Sequence, residues 1–309
     1  MAVSFRIEKI NEFKGHKAAI YGLACDVNNN VFYSVAGDGW IVRWSITSES
    51  SDGMLIGDSG NKLFSVAFES ANQLLVAGDI EGNLYWIDAK ENKILSKSAF
   101  HKGSIFDLNF LSTEKLISVS ADGYVCLWNT LSRMPEISSK ISSQGLRCIK
   151  YDKASHKIYI GASDNHIYIL DGNTLNIIEI IKNAHANSVF AIEILDNDCI
   201  ISGGRDAHLN IWNTKTNELK DSFSAHWFTI NKIIHLPEFS AFATASRDKT
   251  IRIWDSASLD LLKSIDLQKG GHINSVNRLL WIPGPNYLIS AGDDRTIKLF
   301  SFQSESQAL

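Results

Sequence analysis

The sequence predicts an all-β chain of seven similar units that stack side by side and close on themselves, and three observations lead there. First, an acidic residue is followed six positions later by a bulky apolar one seven times: Asp38/Trp44, Glu81/Ile87, Asp122/Trp128, Asp164/Leu170, Asp206/Trp212, Asp248/Trp254 and Asp294/Phe300. Successive second members lie 43, 41, 42, 42, 42 and 46 residues apart. A fixed period of that size marks repeated units, each burying its apolar face against the next. Second, the periods divide into four short strand candidates. Third, the 309 residues include only 4 prolines and show no long helical periodicity.

Within a period the elements follow in a constant order. An apolar strand leads, as in Ile20-Tyr-Gly-Leu-Ala, Ile105-Phe-Asp-Leu-Asn-Phe and Val189-Phe-Ala-Ile-Glu-Ile. A second, such as Val31-Phe-Tyr-Ser-Val or Leu116-Ile-Ser-Val, runs up to the acidic position. A tight turn opens the third, seen in Asp122-Gly-Tyr-Val-Cys-Leu-Trp128. Asp38-Gly39 and Asp122-Gly123 suit that turn because glycine accepts positive φ. The fourth strand is more polar, as in Ile94-Leu-Ser-Lys and Leu219-Lys-Asp-Ser-Phe. Four antiparallel strands in a period of about 42 residues make a propeller blade, whose short edges are protected by radial closure. The expected fold is therefore a seven-bladed β-propeller.

The last period ends with its third strand, Ile297–Phe300, while Phe5–Phe13 is a strand candidate with no unit of its own. The expectation is one domain over residues 1–309. Residues 3–13 would form the outer strand of the last blade and close the ring, and 304–309 would form a tail.

Composition narrows the function classes. Hydrophobic residues make up 45% against 21% charged, enough apolar material for a core. A net charge of −4 lacks the basic excess that phosphate-backbone binding needs, so nucleic acid is disfavoured as a partner. Cys25, Cys126, Cys148 and Cys199 lie in or beside apolar strands without short pairing and read as buried free thiols. The first residues hold no apolar run of signal-peptide length, and no stretch approaches a membrane span. A soluble cytoplasmic protein is expected, with no membrane association, no cofactor, and a monomer as the default state.

Five periods carry a histidine 21 or 22 residues before the acid: His16, His101, His185, His226 and His272. The same five carry a hydroxyl four before it: Ser34, Ser118, Ser202, Thr244 and Ser290. Indole only donates and carboxylate only accepts, whereas hydroxyl and neutral imidazole do both. A chain from Trp to Ser/Thr to His to Asp therefore satisfies every group. A catalytic triad needs an exposed nucleophile beside a base and an oxyanion site. Five matching sets with hydroxyls inside apolar strands point to structure. His156, His166, His208 and His235 show no metal-ligand spacing.

These features resemble the Trp-Asp, or WD, repeat family over essentially the whole chain. Gly15-His16 and Gly271-His272 match the opening signature of such a repeat and Trp254-Asp255 the closing one; Trp128-Asn129 and Trp212-Asn213 are near variants. The resemblance implies a β-propeller, most often of seven blades, in which the four-residue chain is a structural tetrad. The second period departs from it with Asp58 near the histidine slot, Ala77, Glu81 and Ile87, and the fourth with Ser142, Ile160, Asp164 and Leu170. Histidine and hydroxyl are lost together, which avoids an unpaired buried donor. These two blades are expected to be the least constrained by polar ties. The last period keeps His272, Ser290 and Asp294 but ends in Phe300.

In that family the face carrying the histidine loops and hairpin turns often binds peptides near the central channel. The resemblance implies a contact position five residues after each histidine: Tyr21, Phe106, Phe190, Asn231 and Asn277, to which aligning the two degenerate periods adds Phe64 and Arg147. A second position directly precedes the acid and holds Arg205 and Arg247. Trp40 and the Trp227-Phe228 pair enlarge the apolar inventory. Aromatic residues and arginine dominate interface energetics, so an aromatic mouth with an arginine pair on its rim would suit an extended peptide bearing an acidic group. The same aromatics would serve equally as packing in the channel. From Trp212 to His226 is 14 residues but from Trp254 to His272 is 18, so four extra residues near Leu267–Gly271 lengthen one loop of this face.

The reading is a non-enzymatic scaffold for a protein or peptide partner. Two alternatives stand beside it. One is a propeller hydrolase or lyase with a small-molecule site at the channel mouth, and the other is phosphorylated-ligand or nucleic-acid binding through Arg147, Arg205 and Arg247.

Overall fold

Hydrogen-bond pairing sorts the strands into seven four-stranded antiparallel sheets in the computed structural model, which describes residues 5–47, 51–196 and 198–304. Blade 1 consists of Ile20–Asp26, Val31–Ala36, Trp40–Ser45 and Met54–Asp58, from the innermost strand outward. The inner strands of blades 2 to 6 are Leu63–Glu69, Ile105–Phe110, Leu146–Asp152, Val189–Asp196 and Ile230–Leu236. Blade 7 combines Val276–Ile282, Tyr287–Gly292 and Thr296–Ser304 with Phe5–Lys14 from the other end of the chain.

The seventh blade closes the ring. Its two outer strands pair antiparallel from Phe5 opposite Ser304 to Lys14 opposite Thr296, with one irregularity between Lys9 and Asn11. Both phenylalanines of the N-terminal strand, Phe5 and Phe13, are 1% exposed. The expected closing strand 3–13 is observed as Phe5–Lys14; residues 3 and 4 lie outside the described residues, as does the expected tail beyond Ser304.

Packing explains why the blades stack. Seven apolar clusters fill the seven seams between neighbouring blades. Each draws on both sheets, as Ile117, Val119 and Leu127 of blade 3 meet Leu146, Ile149 and Ile158 of blade 4. Second strands such as Val31–Ala36 are buried on both faces, the pattern of a strand between two apolar layers.

The turn between second and third strands has positive φ in every blade: Gly39, Gly82 and Gly123 in the first three, then Asn165, Ala207, Lys249 and Arg295. At Gly123 the requirement is also steric, because a Cβ would collide with the Ser142 carbonyl.

The lengthened loop before His272 contains a short 3-10 turn, Leu267–Lys269, capped by the Asp266 side chain. Lys298 Nζ donates to the carbonyls of Gly270 at 3.3 Å and Gly271 at 2.6 Å. The insertion is thereby tied to the outer strands of blade 7, away from the inner strands that surround the channel.

Candidate functional site

The four complete tetrads form as the donor inventory requires. In blade 1 the Trp44 indole donates to Ser34 Oγ at 2.7 Å, Ser34 donates to His16 Nε2 at 2.7 Å, and His16 Nδ1–H donates to Asp38 at 3.0 Å. Blades 3, 5 and 6 repeat this through Trp128-Ser118-His101-Asp122, Trp212-Ser202-His185-Asp206 and Trp254-Thr244-His226-Asp248. Blade 7 begins at Ser290, with His272 2.8 Å away and Asp294 2.9 Å beyond it. The hydroxyl residues are fully buried and the histidines 0–6% exposed.

Each tetrad aspartate also accepts backbone amides from the histidine loop and the turn, as Asp38 does from Lys17 at 2.7 Å and Trp40 at 3.0 Å. Burial alone would push the Asp122 carboxyl up; the His101 hydrogen bond and the Lys102 and Tyr124 amides outweigh it and hold it at about 2. Asp294 likewise sits at about 2, its burial outweighed by His272 and Thr296. Burial lowers the His226 pKa against the pull of Asp248, which favours the neutral imidazole that the relay needs. Every member is engaged, so the tetrads fix loops and leave no nucleophile free.

Blades 2 and 4 carry ties of a different kind, and the expectation of weak polar constraint needs correction there. In blade 2 the acid is Asp79, not Glu81: fully buried, it accepts from the amides of Glu81 and Asn83, from Asn83 Nδ2 at 2.8 Å and from the Tyr85 hydroxyl at 3.1 Å. Glu81 is exposed and accepts from Asn61 at 3.0 Å. In blade 4 Asp164 accepts from Ser142 and from the Tyr168 hydroxyl at 2.7 Å. Tyr85 and Tyr168 share one repeat position, four after the acidic slot, so a tyrosine hydroxyl donates to the aspartate in both blades, joined in blade 4 by Ser142 from the histidine slot.

The seven residues of the first contact position come together. Tyr21, Phe64, Phe106, Arg147, Phe190, Asn231 and Asn277 all line one cavity of about 190 Å³ at the mouth of the channel, joined by Arg278. They interlock around it. Tyr21 meets Phe64 at 5.0 Å and Phe64 meets Phe106 at 5.7 Å between ring centres. The Arg147 guanidinium lies 4.3 Å from the Phe106 ring centre and 5.5 Å from that of Phe190. Asn231 donates to the Val276 carbonyl at 2.8 Å, and Asn277 to the Ile20 carbonyl at 3.1 Å and to Asp293 at 2.7 Å. Packing and cavity lining are thus one arrangement: the side chains brace their neighbours and remain half-exposed.

The other four candidates do not line the cavity. Arg205 and Arg247 are exposed just past the second strands, and their amides bond the Ser188 and Thr229 carbonyls at the head of the innermost strands. Trp227 is 81% and Phe228 58% exposed on a loop held by the Asp248 carboxylate and the Ser246 hydroxyl. Trp40 packs on the blade 7/blade 1 seam with Lys17 Nζ 4.5 Å from its ring centre. Arg278 stands one residue past the repeat position, so the period does not single it out.

Comparison with known proteins agrees with this geometry. The family model for the WD domain, G-beta repeat, matches residues 7–45, 93–129, 178–213, 217–255 and 263–301. The stretches between the matches include most of blades 2 and 4, the two with tyrosine ties. Human striatin (Homo sapiens) is 21% identical over 318 residues, covering 97% of this chain and 36% of that protein. A WD repeat-containing protein 55 homolog from Dictyostelium discoideum is 25% identical over 187 residues, covering 60% of this chain and 45% of that protein. The chain therefore spans less than half the length of these relatives. The crystal structure of the WD40 β-propeller domain of Doa1 superposes with a TM-score of 0.84 at 19% identity, over 98% of this chain and 99% of that one.

Proposed function

This chain belongs to the WD domain, G-beta repeat family, and we propose that it acts as a non-enzymatic scaffold, holding a peptide or protein partner on the face of the histidine loops and hairpin turns. The observation that carries this reading is the convergence of seven equivalent strand positions, four of them aromatic and one an arginine, on a single half-open cavity. Rigid aromatic surface and a planar guanidinium concentrate binding energy with little entropy to lose. The enzyme alternative finds no support in the tetrads, since each hydroxyl, imidazole and carboxylate is spent on its neighbours. Four free cysteines fit a reducing compartment such as the cytoplasm.

Affinity capture separates the faces. Partners are captured with the wild type, with a Phe106→Ala/Phe190→Ala variant, and with Leu131→Asp, which alters an 89% exposed residue at the opposite end of the strands. Loss of the same partners from the mouth variant alone, with its melting curve still cooperative, supports the proposal. Retention of every partner by the mouth variant contradicts it.

A further inference from the structure

Two arginines meet at Phe106 without a carboxylate to answer them. The Phe106 ring carries the Arg147 guanidinium, and its backbone carbonyl accepts from Arg278 Nη2 at 3.2 Å. Arg147 is further oriented by its Nε–H, which donates to Ser163 Oγ at 2.6 Å. Among the described residues neither arginine forms an ion pair. Asp107, beside Phe106 on the same strand, is committed to the amides of Ile149 at 2.9 Å and Leu108 at 3.1 Å, and Asp293 at the mouth accepts from Asn277 at 2.7 Å. Lys232 adds a third cation, its charge reaching the buried Cys148 thiol together with those of Asp107 and Arg278.

An aromatic-lined mouth taken alone would suit a cation. Here Arg147 already lies over the faces of Phe106 and Phe190, so an incoming cation would meet like charge on an occupied face. Half-buried guanidiniums with unspent donors are matched by an oxyanion, which they bind in a planar fork.

We propose that the mouth reads one oxyanion, a carboxylate or phosphate carried on a side chain of an extended protein segment, through Arg147 and Arg278. The inference rests on the mouth being the partner face and narrows it. It moves acid recognition from the rim arginines, Arg205 and Arg247, into the cavity of about 190 Å³ that Arg147 and Arg278 line. Tyr21, Phe64 and Phe190 are left as apolar wall for the residues on either side of it.

The test follows the Arg147 Nε–H resonance by NMR during titration with three blocked pentapeptides, Ala-Ala-X-Ala-Ala, where X is glutamate, phosphoserine or glutamine. The expected result is a saturable shift with the glutamate or phosphoserine peptide, whichever oxyanion is read, at least about tenfold tighter than with glutamine. Arg278→Gln should abolish that preference and Arg278→Lys restore part of it, while Arg247→Gln leaves it unchanged. No saturable shift at millimolar peptide, equal binding of the glutamine peptide, or an unaltered preference in Arg278→Gln overturns the inference. So does tighter binding of single-stranded RNA than of either acidic peptide. If capture by the mouth variant fails while Arg278→Gln still captures every partner and binds the peptides like wild type, the scaffold stands and the oxyanion reading falls. If the mouth variant captures normally, it is the partner face itself that is wrong.

Discussion

The ring of Phe13, in the N-terminal strand, stands edge-on to the ring of Trp44 at 5.6 Å between centres. Phe13 belongs to blade 7 and Trp44 to blade 1, so this contact lies on the seam beside the blade in which the two ends of the chain pair. Trp44 is also the donor that starts the first tetrad, which couples ring closure to the polar network. Phe13→Ala should cost about 3–5 kcal/mol, the range for emptying a buried aromatic site. Chemical denaturation reads this directly, and a loss below about 1 kcal/mol would mean that the ring holds without the N-terminal strand.

The tetrads predict a graded response to loss of the hydroxyl. Ser118→Ala strands both the Trp128 indole and the His101 ring, whereas Ser290→Ala strands only His272 because blade 7 has Phe300. At about 1–3 kcal/mol for each buried group left unpaired, the blade 3 variant should lose roughly twice as much stability as the blade 7 variant. Equal losses in the denaturation midpoints would remove the relay from the account.

The tyrosine ties should be measurable in the same way. Tyr168→Phe and Tyr85→Phe each delete one hydroxyl facing an aspartate and should destabilise by about 1–2 kcal/mol. Tyr124→Phe, whose ring lies under Lys140 with 5.6 Å to its centre, serves as the comparison and should change stability by less than about 0.5 kcal/mol.

Acid should weaken the fold in two stages. The folded pKa of His226 is lowered by burial, so its unfolded form takes up a proton first and stability begins to fall below about pH 6.5. Asp122 and Asp294 are held at about 2 in the fold against about 3.9 unfolded. Their contribution is complete above that unfolded value and is lost as pH falls from about 4 toward 2. Denaturation midpoints at pH 7, 5 and 3 should therefore decline with a steepening slope, and Asp122→Asn should flatten the lower stage.

Much of this was legible in the residues, and the reasons are physical. The blade period survives because each seam must be refilled with apolar side chains at the same register, and the tetrads because buried donors need partners. In blade 2 the period points to Glu81, six before Ile87, and not to the acid that holds the turn. The turn instead needs a short carboxylate at the end of the strand, within reach of the Glu81 and Asn83 amides, and that residue is Asp79. Tyr85 and Tyr168 stand in phase and could have been found by asking what donates to the acid where the histidine is missing. Arg278 could not, because it crosses the channel from blade 7 to the Phe106 carbonyl of blade 3, and a repeat pattern describes neighbours only. The rim arginines share a sequence position with each other but lie a strand outside the cavity.

Site-specific photo-crosslinking offers the most direct view of the mouth as the partner face. A benzoylphenylalanine placed at Phe64, inside the cavity, and another at Leu131, at the far end of the strands, would each be irradiated in cells producing the protein. Discrete crosslinked partners are expected from position 64, and they should disappear when Phe106→Ala/Phe190→Ala is added. Partners trapped from position 131 and none from position 64 would contradict that reading of the mouth.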